Sequence, residues 1–389
     1  MKINPPKHIA ALEAYKPGKP IADVAAEHGI EDVIKLASNE NPLGASPLAM
    51  EAARKSLSGI HHYPNGGKSL REAIANRYKI SIDETIAGSG SEGVMNTVMR
   101  TFLEKGDEVL TSEWTFSGFY VLAHAIGLKL ITVPMMDYAY DLNRIADRIT
   151  EDTKLIYIAN PNNPTGSVFD RNAFESFYKR VPDNVLLMYD EAYYDFASGD
   201  AHFTLVDDIR SNVITLRTFS KSHGLAGLRI GFGTGPKEII LPMLKVKLPF
   251  EPSSPAQAAG IAALDDNEFL SRTLETNRIG KQYLKDAFEK LGVKYINSAA
   301  NFFFLPIETP AASNNFVFEM ERRGIIVRPL YGSELSTGVR ISIGTMEENE
   351  RAIRAIEEIL VAVTFKSRRE ETNTIFPQRD RDLKVTATQ

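Results

Sequence analysis

Lys221 stands where a buried strand gives way to a glycine-rich loop, and an amine in that place can form an imine with an aldehyde or ketone. Residues 213–219 are a β-branched and aromatic run, and Ser220-Lys221-Ser222-His223-Gly224 ends it, so the amine emerges at the strand's C-terminal edge. Ligands of open α/β sheets bind at such edges. Eight residues on, Arg229 opens a second apolar run, RIGFG, and the small residues between permit close backbone approach. A fixed cation nearby favours the unprotonated amine that imine chemistry requires.

Five other places could do chemistry. Asp190 ends the apolar run VLLMY, which leaves its carboxylate poorly solvated and in need of a partner. Asn160-Pro161-Asn162-Asn163-Pro164-Thr165-Gly166 is committed to a rigid turn at a sheet edge and offers amides there. Gly88-Ser89-Gly90-Ser91-Glu92-Gly93 separates a strand from an amphipathic stretch. Free N–H groups and the helix dipole then converge on one spot that suits a phosphate. Arg328 in IIVRPL and Arg340 in VRISIG each border an apolar run, and buried guanidinium forks need anions.

Composition narrows the classes. With 389 residues, 43% hydrophobic and 24% charged, the chain has enough apolar material for one large or two medium globular domains. The net charge of −5 arises from 45 basic and 50 acidic residues without long like-charge blocks, so nothing suggests a nucleic-acid or membrane surface. Zero cysteines exclude disulfides, thiolate nucleophiles and cysteine-ligated metals, and the seven histidines form no metal-binding spacing. The opening MKINPPK lacks the apolar core of a signal peptide, so the expected location is cytoplasmic.

These residues need a scaffold. Seven short apolar runs between residues 85 and 235, most of them separated by helical-period stretches, predict an α/β fold with a mostly parallel sheet covered on both faces. Proline-rich residues 1–30 read as an irregular arm, and 31–265 as the large domain. Residues 266–365 read as a smaller α+β domain that opens on a long charged helix. The charged segment 366–389, poor in apolar residues, reads as a disordered tail.

In this order and spacing, NPNNPTG, DEAY, SKSHGLAGLR, the glycine-serine turn and the arginine at 340 resemble the pyridoxal-phosphate (PLP) aminotransferases of fold type I, over residues 10–363. The resemblance implies a large domain with a seven-stranded mostly parallel sheet and a smaller α+β domain. It makes Lys221 both the residue that bonds PLP and the catalytic base. Arg229, Thr218, Ser220 and the Gly90-Ser91-Glu92 turn would hold the cofactor phosphate. Asp190 would hold the pyridine nitrogen, and Asn163 and Tyr193 the 3-oxygen. Phe116 would stack on the ring, with Trp114 its rival, because SEWTF lacks the Pro-Thr or Pro-Ser more usual before that aromatic. Tyr63 of HHYP would reach across a homodimer interface, making the active site composite. Arg340 would clamp a substrate α-carboxylate. The Tyr-x-Pro-Gly arm, SNENPLG, HHYP and IIVRPL look most like the branch of the family that acts on histidinol phosphate. That branch brings Tyr15, Asn39 or Asn41, and Arg328 to the substrate, and 2-oxoglutarate as the second substrate. An aromatic amino-acid aminotransferase, a PLP-dependent phospho-amino-acid decarboxylase and a non-catalytic PLP-binding regulator are the other readings.

Overall fold

A computed structural model of the chain describes residues 3–12, 18–330 and 337–375. Its centre is a seven-stranded sheet: β1 (Thr85–Gly88), β2 (Glu108–Ser112), β3 (Lys129–Val133), β4 (Thr153–Ala159), β5 (Leu186–Asp190), β6 (Val213–Thr218) and β7 (Gly231–Thr234). The spatial order is β1-β7-β6-β5-β4-β2-β3, parallel except that β7 runs against both of its neighbours. Along β4 the side chains alternate between two apolar layers. Leu155, Tyr157 and Ala159 pack with Val94, Phe119 and Ile214, whereas Ile156 and Ile158 pack with Phe174, Phe177 and Tyr189. Both faces are therefore dry, which is why the strands read as continuous apolar runs rather than alternating ones.

Pairing brings strand ends together. Asp190 is opposite Leu216 across β5 and β6, and Gly88 is opposite Gly231 across β1 and β7. Because β6 and β7 are antiparallel neighbours, the segment between them leaves and re-enters the sheet at one edge, and it carries both Lys221 and Arg229.

The smaller unit has a three-stranded antiparallel sheet of β8 (Phe302–Pro306), β9 (Arg328–Pro329) and β10 (Gly338–Ser342), ordered β9-β10-β8. Helices Asn267–Leu291 and Met346–Ile375 cover it, with Leu284, Phe288, Ile353 and Ile356 in one apolar cluster with Phe303, Leu305 and Ile341. Register places Arg328 opposite Arg340.

Three expectations about the ends change. The segment read as an irregular arm contains helix Ile21–His28, entered from Pro20 and ended by left-handed Gly29, with Val24 fully buried. Residues Ile34–Lys35 pair in parallel with Ile325–Ile326, and Leu36 joins the small unit's core. The chain from 21 to 37 thus packs with the C-terminal unit instead of opening the large one, a pairing between distant segments that no local pattern reports. The last helix runs to Ile375, into the stretch read as a disordered tail, because its charged sequence still favours helix. Among the described residues, no helix is long and apolar enough to cross a membrane.

Candidate active site

A cavity of about 970 Å³ opens at the sheet edge where β1, β4, β5 and β6 end, and the small unit closes its far side. Gly90, Ser91, Glu92, Phe116, Asn163, Asp190, Tyr193, Thr218, Ser220, Lys221, Arg229, Arg328 and Arg340 all line it, as does Trp114. Tyr15 lies outside the described residues. Tyr63 and Asn39 are absent from this wall.

The floor carries opposite charges. Lys221 Nζ donates to the Ser38 carbonyl at 3.2 Å and lies 5.5 Å from the Tyr193 ring centre. Asp190 is 5% exposed. It accepts from Tyr157 Oη at Oδ2 and from the Ala192 N–H at Oδ1, both at 2.9 Å. Burial pushes its pKa up to about 6, against the pull of those two donors and of Lys221. Among the described residues no arginine or lysine pairs directly with it, so a cationic ligand atom is what this carboxylate suits.

Donors gather at the other end of the floor. Thr218 Oγ1 donates to Ser220 Oγ at 2.9 Å and accepts from the Ser220 N–H at 3.1 Å. Helix Gly90–Phe102 points its N-terminus at the same place. Arg229, in left-handed backbone with φ 50°, brings its guanidinium beside Gly90 and lies 3.9 Å from Glu92. Gly231 makes this convergence possible: a Cβ there would lie 2.4 Å from Ser91 N and 2.6 Å from the Gly90 carbonyl carbon. Both are backbone atoms and cannot step aside. Gly231→Ala is therefore expected to cost about 1–3 kcal/mol of stability. It should also weaken the rise in melting temperature that added phosphate gives, and an unchanged rise would show that the turn is not an anion cradle.

The arginines form the opposite wall. Arg340, 9% exposed, donates through Nη1 to Asn163 Oδ1 at 2.5 Å and through Nη2 to the Ala37 carbonyl at 2.9 Å. With Arg328 on the adjacent strand, two forks share one side of the cavity, an arrangement that suits a phosphate or a carboxylate.

Two aromatic candidates separate by packing. The Trp114 ring leans on Tyr138 at 5.6 Å, and Tyr138 on Phe304 at 5.5 Å, so the indole is committed towards the small unit. The Phe116 ring lies over Gly118, where a Cβ would come within 2.4 Å of it.

Asn39 corrects an expectation. It is fully buried behind Tyr193, donating to Tyr193 Oη at 2.9 Å and accepting from Ser342 Oγ at 2.9 Å, so it orients the tyrosine instead of meeting substrate. Asn41 likewise spends its amide on the Ser222 carbonyl and Thr273 Oγ1. Sequence reasoning also passed over a brace behind the lysine. Buried Arg217 holds Glu191 at 2.7 Å and Asp195 at 3.3 Å, and Asp195 accepts from Ser222 beside Lys221. An arginine inside the apolar run VITLRT was the available signal. Tyr157 had none, because a tyrosine in a buried strand reads as core.

A planar ring with a basic nitrogen at one end and a phosphate at the other fits this donor set: carboxylate, amine, phenol, amide and anion cradle around one floor. The sequence pattern of the aminotransferase class I and II family matches residues 31–356. The chain is 40% identical over 358 residues to the histidinol-phosphate aminotransferase of Moorella thermoacetica, covering 90% of this chain and 92% of that protein. It is 38% identical over 354 residues to that of Symbiobacterium thermophilum, covering 90% and 97%. The structure of histidinol-phosphate aminotransferase from Sinorhizobium meliloti in complex with pyridoxal-5'-phosphate superposes with a TM-score of 0.85 at 27% identity. That match covers 92% of this chain and 97% of that one.

Proposed function

Because the chain belongs to the class I and II aminotransferases, we propose that it transfers the amino group of L-histidinol phosphate to 2-oxoglutarate with PLP as cofactor, a step of histidine biosynthesis. The observation that carries this reading is the Lys221 amine and the Asp190 carboxylate on one cavity floor, facing two arginines in register. When bound, PLP supplies an aldehyde for the lysine and a ring that draws negative charge from the substrate's α-carbon.

The chain supplies the rest. Lys221 Nζ would hold the cofactor and, when free of it, would take the proton from the substrate's α-carbon and hand it on. Asp190 would keep the ring nitrogen cationic. Asn163 and Tyr193 would hold the 3-oxygen, Phe116 would cover the ring face, and Thr218, Ser220, Arg229 and the N–H groups after Gly90 would take the phosphate. Arg340 receives the phosphate of the amino donor and then a carboxylate of the 2-oxo acid at the same fork, with Arg328 beside it. A half-reaction screen tests the substrate: histidinol phosphate should convert the bound cofactor to its amino form far faster than phenylalanine, tyrosine or phosphothreonine. Preference for an unphosphorylated aromatic amino acid would overturn it. The reading carries a cytoplasmic location.

The active enzyme is a homodimer in this reading. Tyr63 is 81% exposed, stacks on half-exposed Phe250 at 4.3 Å and stands outside its own chain's cavity, and Leu57, Ile60 and Leu248, close to these two rings in sequence, are exposed as well. Such a patch supports burial against a second copy, with Tyr63 reaching the neighbour's cofactor phosphate. Mixing Tyr63→Ala with Lys221→Ala chains should restore activity that neither has alone, because one site of each mixed dimer is then intact. No recovery in demonstrated mixed dimers would argue against a shared site.

A further inference from the structure

Tyr157 lies on β4 with its ring in the core and its hydroxyl at the cavity floor. The ring is fully buried and stacks on Phe119, centroids 4.4 Å apart at 14°, so it cannot swing away. Its Oη reaches Asp190 Oδ2 at 2.9 Å, while the Ala192 N–H takes Oδ1. Among the described residues this phenol is the one side chain that hydrogen-bonds the carboxylate. We propose that Tyr157 is a positioning residue for the cofactor, locking the Asp190 carboxylate so that it faces the ring nitrogen as a fixed anion. The inference rests on the PLP reading and deepens it, since it names what keeps a buried carboxylate ready for a cation.

The surroundings leave this task to Tyr157. Burial disfavours the ionised form of Asp190, and the neighbouring charge of Glu191 adds to that, although Glu191 is itself paired with Arg217. Lys221 opposes them through space only; the buried phenol of Tyr140 is bonded to Thr115, and that of Tyr193, on the same cavity wall, to Asn39. Burial raises the phenol's own pKa well above the ordinary tyrosine value, so it stays protonated and remains a donor across the working range. A hydrogen bond to an ionised acceptor is the strong kind, and one that holds both partners in one geometry.

The test is Tyr157→Phe in the full-length protein, which removes one oxygen and keeps the ring stack. Equilibrium dialysis should show the PLP dissociation constant rising roughly ten-fold. The acid limb of kcat/KM, and the pH titration of the bound cofactor's absorbance, should move up by about one pH unit, because an Asp190 without its donor holds a proton more tightly. In an Asp190→Asn background the same change should leave the dissociation constant within about two-fold, the signature of a role exercised through the carboxylate. A folded Tyr157→Phe protein with wild-type affinity and an unmoved limb overturns the proposal. So does an equal loss in the Asp190→Asn background, which would mark packing alone. If the unsubstituted protein takes up no PLP, the broader reading fails first and this one falls with it.

Discussion

Lys221→Ala loses the visible absorbance of lysine-bound PLP and about 10⁴-fold or more of the transamination rate. The size follows from the two tasks proposed for one atom: the same Nζ would bond the cofactor and move the α-proton. Among the described residues no other lysine lines the cavity, so none of them can substitute. The fold should survive, since the hydrogen bond described for this amine is a long one to the Ser38 carbonyl, while Asp190, Tyr193 and the brace around Arg217 are untouched. Circular dichroism and a melting curve check this. A small exogenous amine should restore part of the proton transfer, separating the lost base from a disturbed site. Retained absorbance, or turnover within ten-fold of the unsubstituted enzyme, would sink the assignment of Lys221.

Arg340→Leu is expected to lower kcat/KM by about 10²–10³ for both the phosphorylated amino donor and the 2-oxo acid, since hydrogen bonds to charged groups contribute about 1.5–3 kcal/mol each. The two losses should move together if, as proposed, both substrates present their anion to one fork. Arg340 is also fixed by Asn163 and the Ala37 carbonyl, which hold the plane of its guanidinium. Arg340→Lys should recover little of the loss, since a point charge cannot reproduce the planar fork. Steady-state kinetics with each substrate varied in turn measures this. A loss confined to one substrate would show that the two anions bind at different places, with Arg328 the residue then implicated for the other.

Much of this site is a property of strand ends, and strand ends are local. A β-branched run followed by Ser-Lys-Ser-His-Gly must stop there, and so must VLLMY at Asp190 and the strand before the Asn-Pro steps. Each therefore shows its side chain's position at an edge without reference to the rest of the chain. The seven runs likewise announce a doubly covered sheet, because strands buried on both faces must be apolar throughout.

What pairs with what is a different matter. Nothing near Ile34–Lys35 says that its partner is Ile325–Ile326, and nothing in IIVRPL says that Arg328 will stand opposite Arg340. The left-handed turn at Asn39 sends a polar residue behind Tyr193 that a loop pattern would have sent to the substrate. Tyr157 is indistinguishable from core until β4 is laid beside β5 and its hydroxyl meets Asp190. By itself the chain determined which elements form and which residues end them, since periodicity and turn chemistry act over a few neighbours. Only tertiary packing decided the register between distant strands, because that is set by how two apolar layers close over one sheet. It thereby decided which buried polar groups became each other's partners.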